Sequence, residues 1–362
     1  MTRPVFRNQL KSGGPRLPLQ RARVFLGTAL WLSCTASAFA QPAASFWGNT
    51  GLWRVLTTES LAPGQISTSA FFDKVQRNPG NLAVETAVVS AAVGLTRRLE
   101  FGFVLEANRR VSVASPEQLS FGQEALGFFG SRMPGATPTP EELVRGSSQM
   151  PQLRSPPTPQ GALTGAAGYY NLLPFAGFVE EGSGIGLAAL AFKFNLLSET
   201  SGAPLGLAAR AHFDIPIRKG IEYLLQHPVG TADLQFGFDA IVSRNVADVA
   251  GLYWNLGYRH INQPAHVSIV RLADEAPIGF GWNIPRTARV QFIGETTAEV
   301  FFGSHTPNTT FGAESPADLT VGGRIGVFPR VAFSAGYRRR LNKPEGDKNG
   351  FVIQAVFTSA KP

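Results

Sequence analysis

Along most of the chain, apolar side chains recur at every second position, with polar or small residues between them. Leu99, Phe101, Phe103, Leu105 and Ala107 share one face, and Glu100, Gly102, Val104, Glu106 and Asn108 share the other. The same period returns in Leu205 to Ile215, Leu234 to Val242, Ala250 to Tyr258, Val290 to Val300 and Val331 to Tyr337. A period of two marks an extended strand whose faces meet different surroundings, because successive side chains point to opposite sides. Twelve segments are predicted: 64–73, 85–95, 99–112, 184–196, 204–215, 231–243, 248–261, 276–284, 287–302, 317–328, 330–340 and 350–359. Most are about ten residues long, the length a tilted strand needs to cross a bilayer.

The connections alternate in length. Those at 96–98, 197–203, 244–247, 285–286 and 329 are short, and those at 74–84, 113–183, 216–230, 262–275, 303–316 and 341–349 are longer. Short turns on one rim and long loops on the other are the pattern of a bacterial outer-membrane barrel, with the short turns periplasmic. The expected fold class is therefore all-β: a transmembrane antiparallel up-and-down β-barrel of about 12 strands, with both termini periplasmic. A soluble β-sandwich also alternates. Against it stand the strand lengths, the loop alternation and a second face that mixes glycine with ionisable residues. In lipid an open sheet leaves backbone groups without partners, so closure is required. On this register Phe236, Phe292 and Phe333 face lipid.

Charge changes the picture only at the N-terminus. The formal net charge is +8, but residues 1–40 hold six of the 33 basic residues and none of the 25 acidic ones, so the remainder is near +2. These forty residues read as a secretory signal peptide: a basic start, an apolar run from Val24 to Leu32, and Ala38-Phe39-Ala40 as the cleavage site. The single cysteine, Cys34, falls inside it, so the exported part is expected to fold without disulfides. Export and a small net charge exclude nucleic acid as a partner.

The expected organisation is a signal peptide over 1–40, a lead-in segment over 41–63 at the periplasmic mouth, and the barrel over 64–359. The lead-in carries Phe46, Trp47, Leu52, Trp53 and Leu56, too many large apolar groups for an exposed tail. It is expected to tuck against the mouth or into it and to narrow the lumen. Loop 113–183, expected to be extracellular, contains nine prolines, which remove the donors a strand ladder needs. It is read as a lid or a partner-binding loop.

The stretch Gly48-Asn49-Thr50-Gly51-Leu52 through Thr57 to Gly64, with Ala191 to Ser198 and Arg210 to Pro216, resembles barrel domains of some bacterial envelope proteins. In that family the barrel often precedes an OmpA-like peptidoglycan-binding domain. The resemblance implies the barrel fold over 46–359. The sequence here stops at Pro362, three residues past the last predicted strand, so the wall-binding part of the family role is not expected to carry over.

The face opposite the apolar one supplies the candidate site. Glu100, Glu106, Lys193, Arg210, His212, Asp214, Asp239, Arg289, Glu295, Arg324 and Arg338 are the predicted lumen-lining residues. Their signs nearly balance, which favours an internal ion-pair network filling a modest lumen over a charge-selective pore. His212-x-Asp214 places an imidazole beside a carboxylate, but no third ligand is identifiable, so no metal and no cofactor are expected. No Ser, His and acid set stands out, so no catalytic residue is assigned.

The expected role is structural, or a passive pore for small solutes. The alternatives are a barrel-embedded hydrolase such as a phospholipase, and a surface adhesion protein using 113–183. Expected partners are outer-membrane lipid and lipopolysaccharide, met by Arg109-Arg110, Arg218-Lys219, Arg259, Arg338-Arg339-Arg340 and Lys343. The barrel-insertion machinery is expected to read Phe351, Ile353, Ala355 and Phe357. No soluble partner is indicated.

Overall fold

A computed structural model describes residues 42–77, 81–114, 169–170, 173–174, 181–217, 233–262, 273–302, 316–342 and 349–360. Twelve long strands run in chain order: β1 (Ile66–Arg77), β2 (Leu82–Gly94), β3 (Leu99–Val113), β4 (Leu187–Leu197), β5 (Gly206–Pro216), β6 (Gln235–Val246), β7 (Ala250–Ile261), β8 (Asp274–Ile284), β9 (Val290–Phe302), β10 (Ala317–Phe328), β11 (Val331–Arg340) and β12 (Gly350–Thr358). Each pairs antiparallel with its neighbours in sequence. β12 closes on β1, with Ala355 opposite Ala70. The result is a closed 12-stranded up-and-down β-barrel, as the alternation predicts. A short strand, Glu181–Gly184, extends β4 along the end of β3.

Closure leaves no sheet edge, which is what allows a β-structure to sit in hydrocarbon. No helix among the described residues is long and apolar enough to cross a membrane. The outward face carries what lipid requires: Phe238, Leu256, Phe292, Phe333, Ile353 and Phe357 all project from the wall with their large apolar groups uncovered. In water such a belt would be an aggregation surface; against acyl chains it is the stable arrangement.

Two features depart from the simple alternation. β1 and β2 run longer than expected, so the connection predicted over 74–84 shrinks to 78–81. In the β2–β3 ladder Ala87 pairs with Asn108 and Val88 with Glu106, so Ala107 is a bulge. A bulge reverses the facing of every later residue in its strand. Arg109, not Asn108, therefore points inward, and it is almost fully buried.

The proposed signal peptide lies outside the described residues, as does most of loop 113–183. Within that loop, Tyr169–Tyr170 and Leu173–Pro174 pair as a two-residue ladder.

Candidate functional site: the occupied lumen

Residues 42–62 lie inside the barrel. They form little regular structure, a two-residue ladder between Ala43–Ala44 and Thr50–Gly51 with a bridge from Gly51 to Leu56. An irregular backbone in a lumen with little water needs partners for its N–H and C=O groups. The inward side chains of the strands supply them.

Glu100 on β3 and Lys193 on β4 stand opposite each other in register and are fully buried. Glu100 accepts hydrogen bonds from Thr50 N (2.8 Å), Asn49 Nδ2 (3.1 Å) and Leu61 N (3.2 Å). Lys193 Nζ donates to Thr57 O (3.0 Å), Glu59 O (2.7 Å) and Thr50 Oγ1, and lies 3.3 Å from Glu100. The acid satisfies the segment's donors and the base its acceptors. Arg210 on β5 donates to Asn49 Oδ1 and to Trp47 O, both at 2.9 Å, while paired with Asp239 at 2.6 Å. Asn255 on β7 both accepts from Leu56 N (2.6 Å) and donates to Leu56 O (3.0 Å). On β9, Glu295 accepts from Trp53 N, Arg54 N and Val55 N at 2.9 to 3.0 Å.

Apolar contacts complete the seat. Phe46, Leu52, Trp53 and Val55 join Phe71, Val104, Leu187, Tyr253, Ile293 and Val352 in one buried cluster. Leu56 packs with Ala208 and Ile241, and Ala43 with Ala332 and Val356. Lumen-facing glycines make the room. A Cβ on Gly336 would lie 2.7 Å from Trp53 Cη2, and one on Gly281 2.8 Å from Leu52 Cδ1. Gly102 and Gly206 are covered in the same way by Asn49 and Thr58. The segment thus touches residues from all twelve strands and acts as a plug across the lumen.

Charges continue around and above the plug, toward the long-connection end. Asp73 on β1 is held between Arg54 of the plug (2.6 Å) and Arg338 on β11 (2.9 Å). Burial works against the Arg54 charge, but the charge and hydrogen bond of Asp73, together with the more distant Glu299 and Asp318, hold its pKa above the ordinary arginine value. His212 Nδ1 sits 3.1 Å from Asp214, which with Glu275 also flanks Arg259. Glu106 pairs with Arg109 at 2.5 Å. Among the described residues no group of three or more His, Cys, Asp or Glu is arranged to hold a metal ion.

Ten of the eleven predicted lumen residues face inward. Glu100, Lys193, Arg210 and Glu295 bind the plug directly, and Asp239, His212, Asp214, Glu106 and Arg338 form the ion-pair network. Arg324 also points inward and donates to Leu52 O at 3.4 Å. Arg289 is the correction: it precedes the first residue of β9, is exposed, and donates to Gly326 O (2.6 Å) and Val327 O (3.0 Å) at the rim.

Sequence reasoning missed Asp73, Glu275 and Gln354. It also gave Arg109 and Arg340 a lipid-contacting rim alone, and Arg259 and Arg338 that rim beside a lumen position, whereas all four are buried in the lumen. Of the cations expected to meet lipid, Arg110 and Arg339 are the described ones that stay at the rim. His227, His266 and His305, Arg218-Lys219 and Lys343 lie outside the described residues.

No family model matches the chain, and no curated protein matches its sequence. Among solved structures, an outer membrane channel from Pseudomonas putida F1 is similar over 83% of this chain and 98% of that one. It has a TM-score of 0.53 and 11% identity. At that identity the likeness is one of fold, and it agrees with the 12-stranded barrel described above. The CymD monoaromatic hydrocarbon channel (TM-score 0.36, 12% identity, 83% and 89% covered) and the KdgM porin (0.37, 4%, 82% and 99%) are more distant barrels.

Proposed function

We propose that the protein is an outer-membrane barrel for passive passage of small solutes, held closed by residues 42–62. The observation that carries this is the plug itself. A barrel whose role is purely structural can fill its lumen with wall side chains, whereas here a separate stretch of chain does so, joined to β1 only through Pro63-Gly64-Gln65. Such a segment can leave without opening the wall ladders, since none of its hydrogen bonds belongs to the β1–β12 sheet.

The apolar belt supports a membrane setting, and the fold likeness to an outer membrane channel supports this membrane in particular. An envelope role is also what the resemblance to barrels preceding OmpA-like domains implies. Residues 1–40 are read as the export signal, the short-turn rim with both chain ends as periplasmic, and loop 113–183 as extracellular. Lipid and lipopolysaccharide are the surroundings proposed for the belt and for Arg110 and Arg339. Among the described residues no serine, threonine or cysteine is hydrogen-bonded to the His212–Asp214 pair, whose carboxylate is shared with Arg259.

Swelling of proteoliposomes in solutes of graded size tests the reading. The intact protein is expected to admit solutes slowly and a 42–62 deletion to admit them fast with a size cut-off. A deletion variant that folds, as shown by its strand circular dichroism, yet admits nothing would overturn the transport role.

A further inference from the structure

Between the plug and the short-turn rim the lumen opens into a cavity of about 650 Å³. This volume lies within the range of small-molecule sites and far exceeds the space one inorganic ion needs. Its walls come from both parts of the molecule: Arg324, Tyr253 and Asn283 from the strands, Leu52 and Leu61 from the plug, and Arg286 from the β8–β9 turn.

Arg324 distinguishes this cavity from the rest of the lumen. A buried guanidinium is costly to hold without a carboxylate or an equivalent set of acceptors. Lys193, Arg109, Arg210, Arg259 and Arg338 each have a carboxylate within 4.0 Å. Arg324 is 7% exposed and has none among the described residues. Its Nη2 makes two long hydrogen bonds, to Leu52 O at 3.4 Å and Gln354 Oε1 at 3.3 Å, and its Nε is buried with no partner. Glu59, the acid at the same cavity, is engaged by Arg286 at 3.3 Å on the rim. The cavity therefore holds a planar cation short of acceptors, with Leu52, Leu61 and Tyr253 among the residues that line it.

We infer that this vestibule binds a small organic oxyanion, its carboxylate or phosphate received by Arg324 and its apolar body lying against Leu52, Leu61 and the Tyr253 ring. A guanidinium offers two parallel N–H donors to either head group, which is the strongest pairing available to it. As a statement about the transported solute this rests on the reading above; as a binding site it can be tested on the closed barrel.

The test is calorimetric titration of the intact folded protein, in neutral detergent at fixed ionic strength, with butyrate, butyl phosphate, butanol and inorganic phosphate. Butyrate or butyl phosphate is expected to bind saturably, with butanol at least tenfold weaker, and whichever of the two binds tighter names the head group. Arg324→Gln is expected to lower that affinity at least tenfold, Arg324→Lys to restore part of it, and Arg289→Gln to leave it unchanged. Because Arg324→Gln removes a buried charge that has no carboxylate within 4.0 Å among the described residues, its melting temperature should not fall, so loss of binding cannot be laid to misfolding. Inorganic phosphate binding as tightly as butyl phosphate would overturn the organic ligand. Butyrate and butyl phosphate both binding equally to wild type and Arg324→Gln, or neither binding, would overturn the site. Saturable binding to a barrel that fails the swelling test above would leave the site standing and remove only the transport reading.

Discussion

The backbone N–H of Trp53 donates to Oε1 of Glu295 at 2.9 Å, joining positions 242 residues apart. The next two N–H groups, of Arg54 and Val55, turn to the same carboxylate. One side chain on β9 therefore fixes the orientation of a three-residue bend that has no ladder of its own. Glu295→Gln offers one carbonyl oxygen where there were two and turns an NH₂ group toward donors. At least one N–H is left unmatched, which costs about 1–3 kcal/mol in a buried setting. Amide exchange at 52–56 is expected to speed up by one to two orders of magnitude while exchange in the β9–β10 ladder stays slow. Equal acceleration in both would mean that the plug and wall open together.

Trp53 occupies a space that only a residue without a Cβ leaves open at position 336. Gly336→Leu should unseat the indole, and Trp53→Ala should vacate it, at about 3–5 kcal/mol for a buried Trp. Both destroy one contact, so the double variant should cost clearly less than the sum of the singles. Urea titrations of the four proteins in lipid measure this, and simple additivity would refute the packing.

Asp73 serves two guanidinia at once. Asp73→Asn leaves the buried Arg338 and the partly buried Arg54 beside a neutral amide, an imbalance worth about 3–5 kcal/mol for a buried ion pair. One position along, Lys74 pairs with Glu85 in a partly exposed bridge, where Lys74→Gln should cost only about 0.2–1 kcal/mol. Denaturant midpoints of the two variants are expected to fall in that order.

The lipid face is graded by depth. Leu256 lies mid-strand and 59% exposed, and Phe328 ends β10 at 63% exposed. Arginine should cost about 2–4 kcal/mol at position 256 and about 0–1 at position 328. Unfolding of the two variants in bilayers tests it, and equal costs would place the membrane differently along the strands.

The wall was legible in the sequence because a strand between lipid and lumen cannot avoid alternating, and each of the twelve strands overlaps a segment that the two-residue period marks, with ends that shift by a few residues. Failures came where something other than the period decides. The bulge at Ala107 has no local signature, so Arg109 was assigned to a rim. Arg289 continues the alternation of β9 but precedes its first paired residue, so it follows the turn instead. Asp73 lies where the first predicted segment stops, four residues short of the end of β1. The plug was visible as misplaced bulk in Phe46, Trp47 and Trp53. Its seat was not, because that seat is made of side-chain bonds to backbone groups, and such bonds leave no periodicity. The lumen glycines show the same difficulty: they mark where another chain segment comes close, not which one.

Single-channel recording of the folded protein in planar bilayers, with residues 42–62 present and then deleted, tests the occlusion most directly. The intact barrel is expected to stay closed or to flicker open briefly, and the deletion variant to hold a steady open level. A steady open level already present in the intact protein, and unchanged by the deletion, would show that residues 42–62 do not close the lumen.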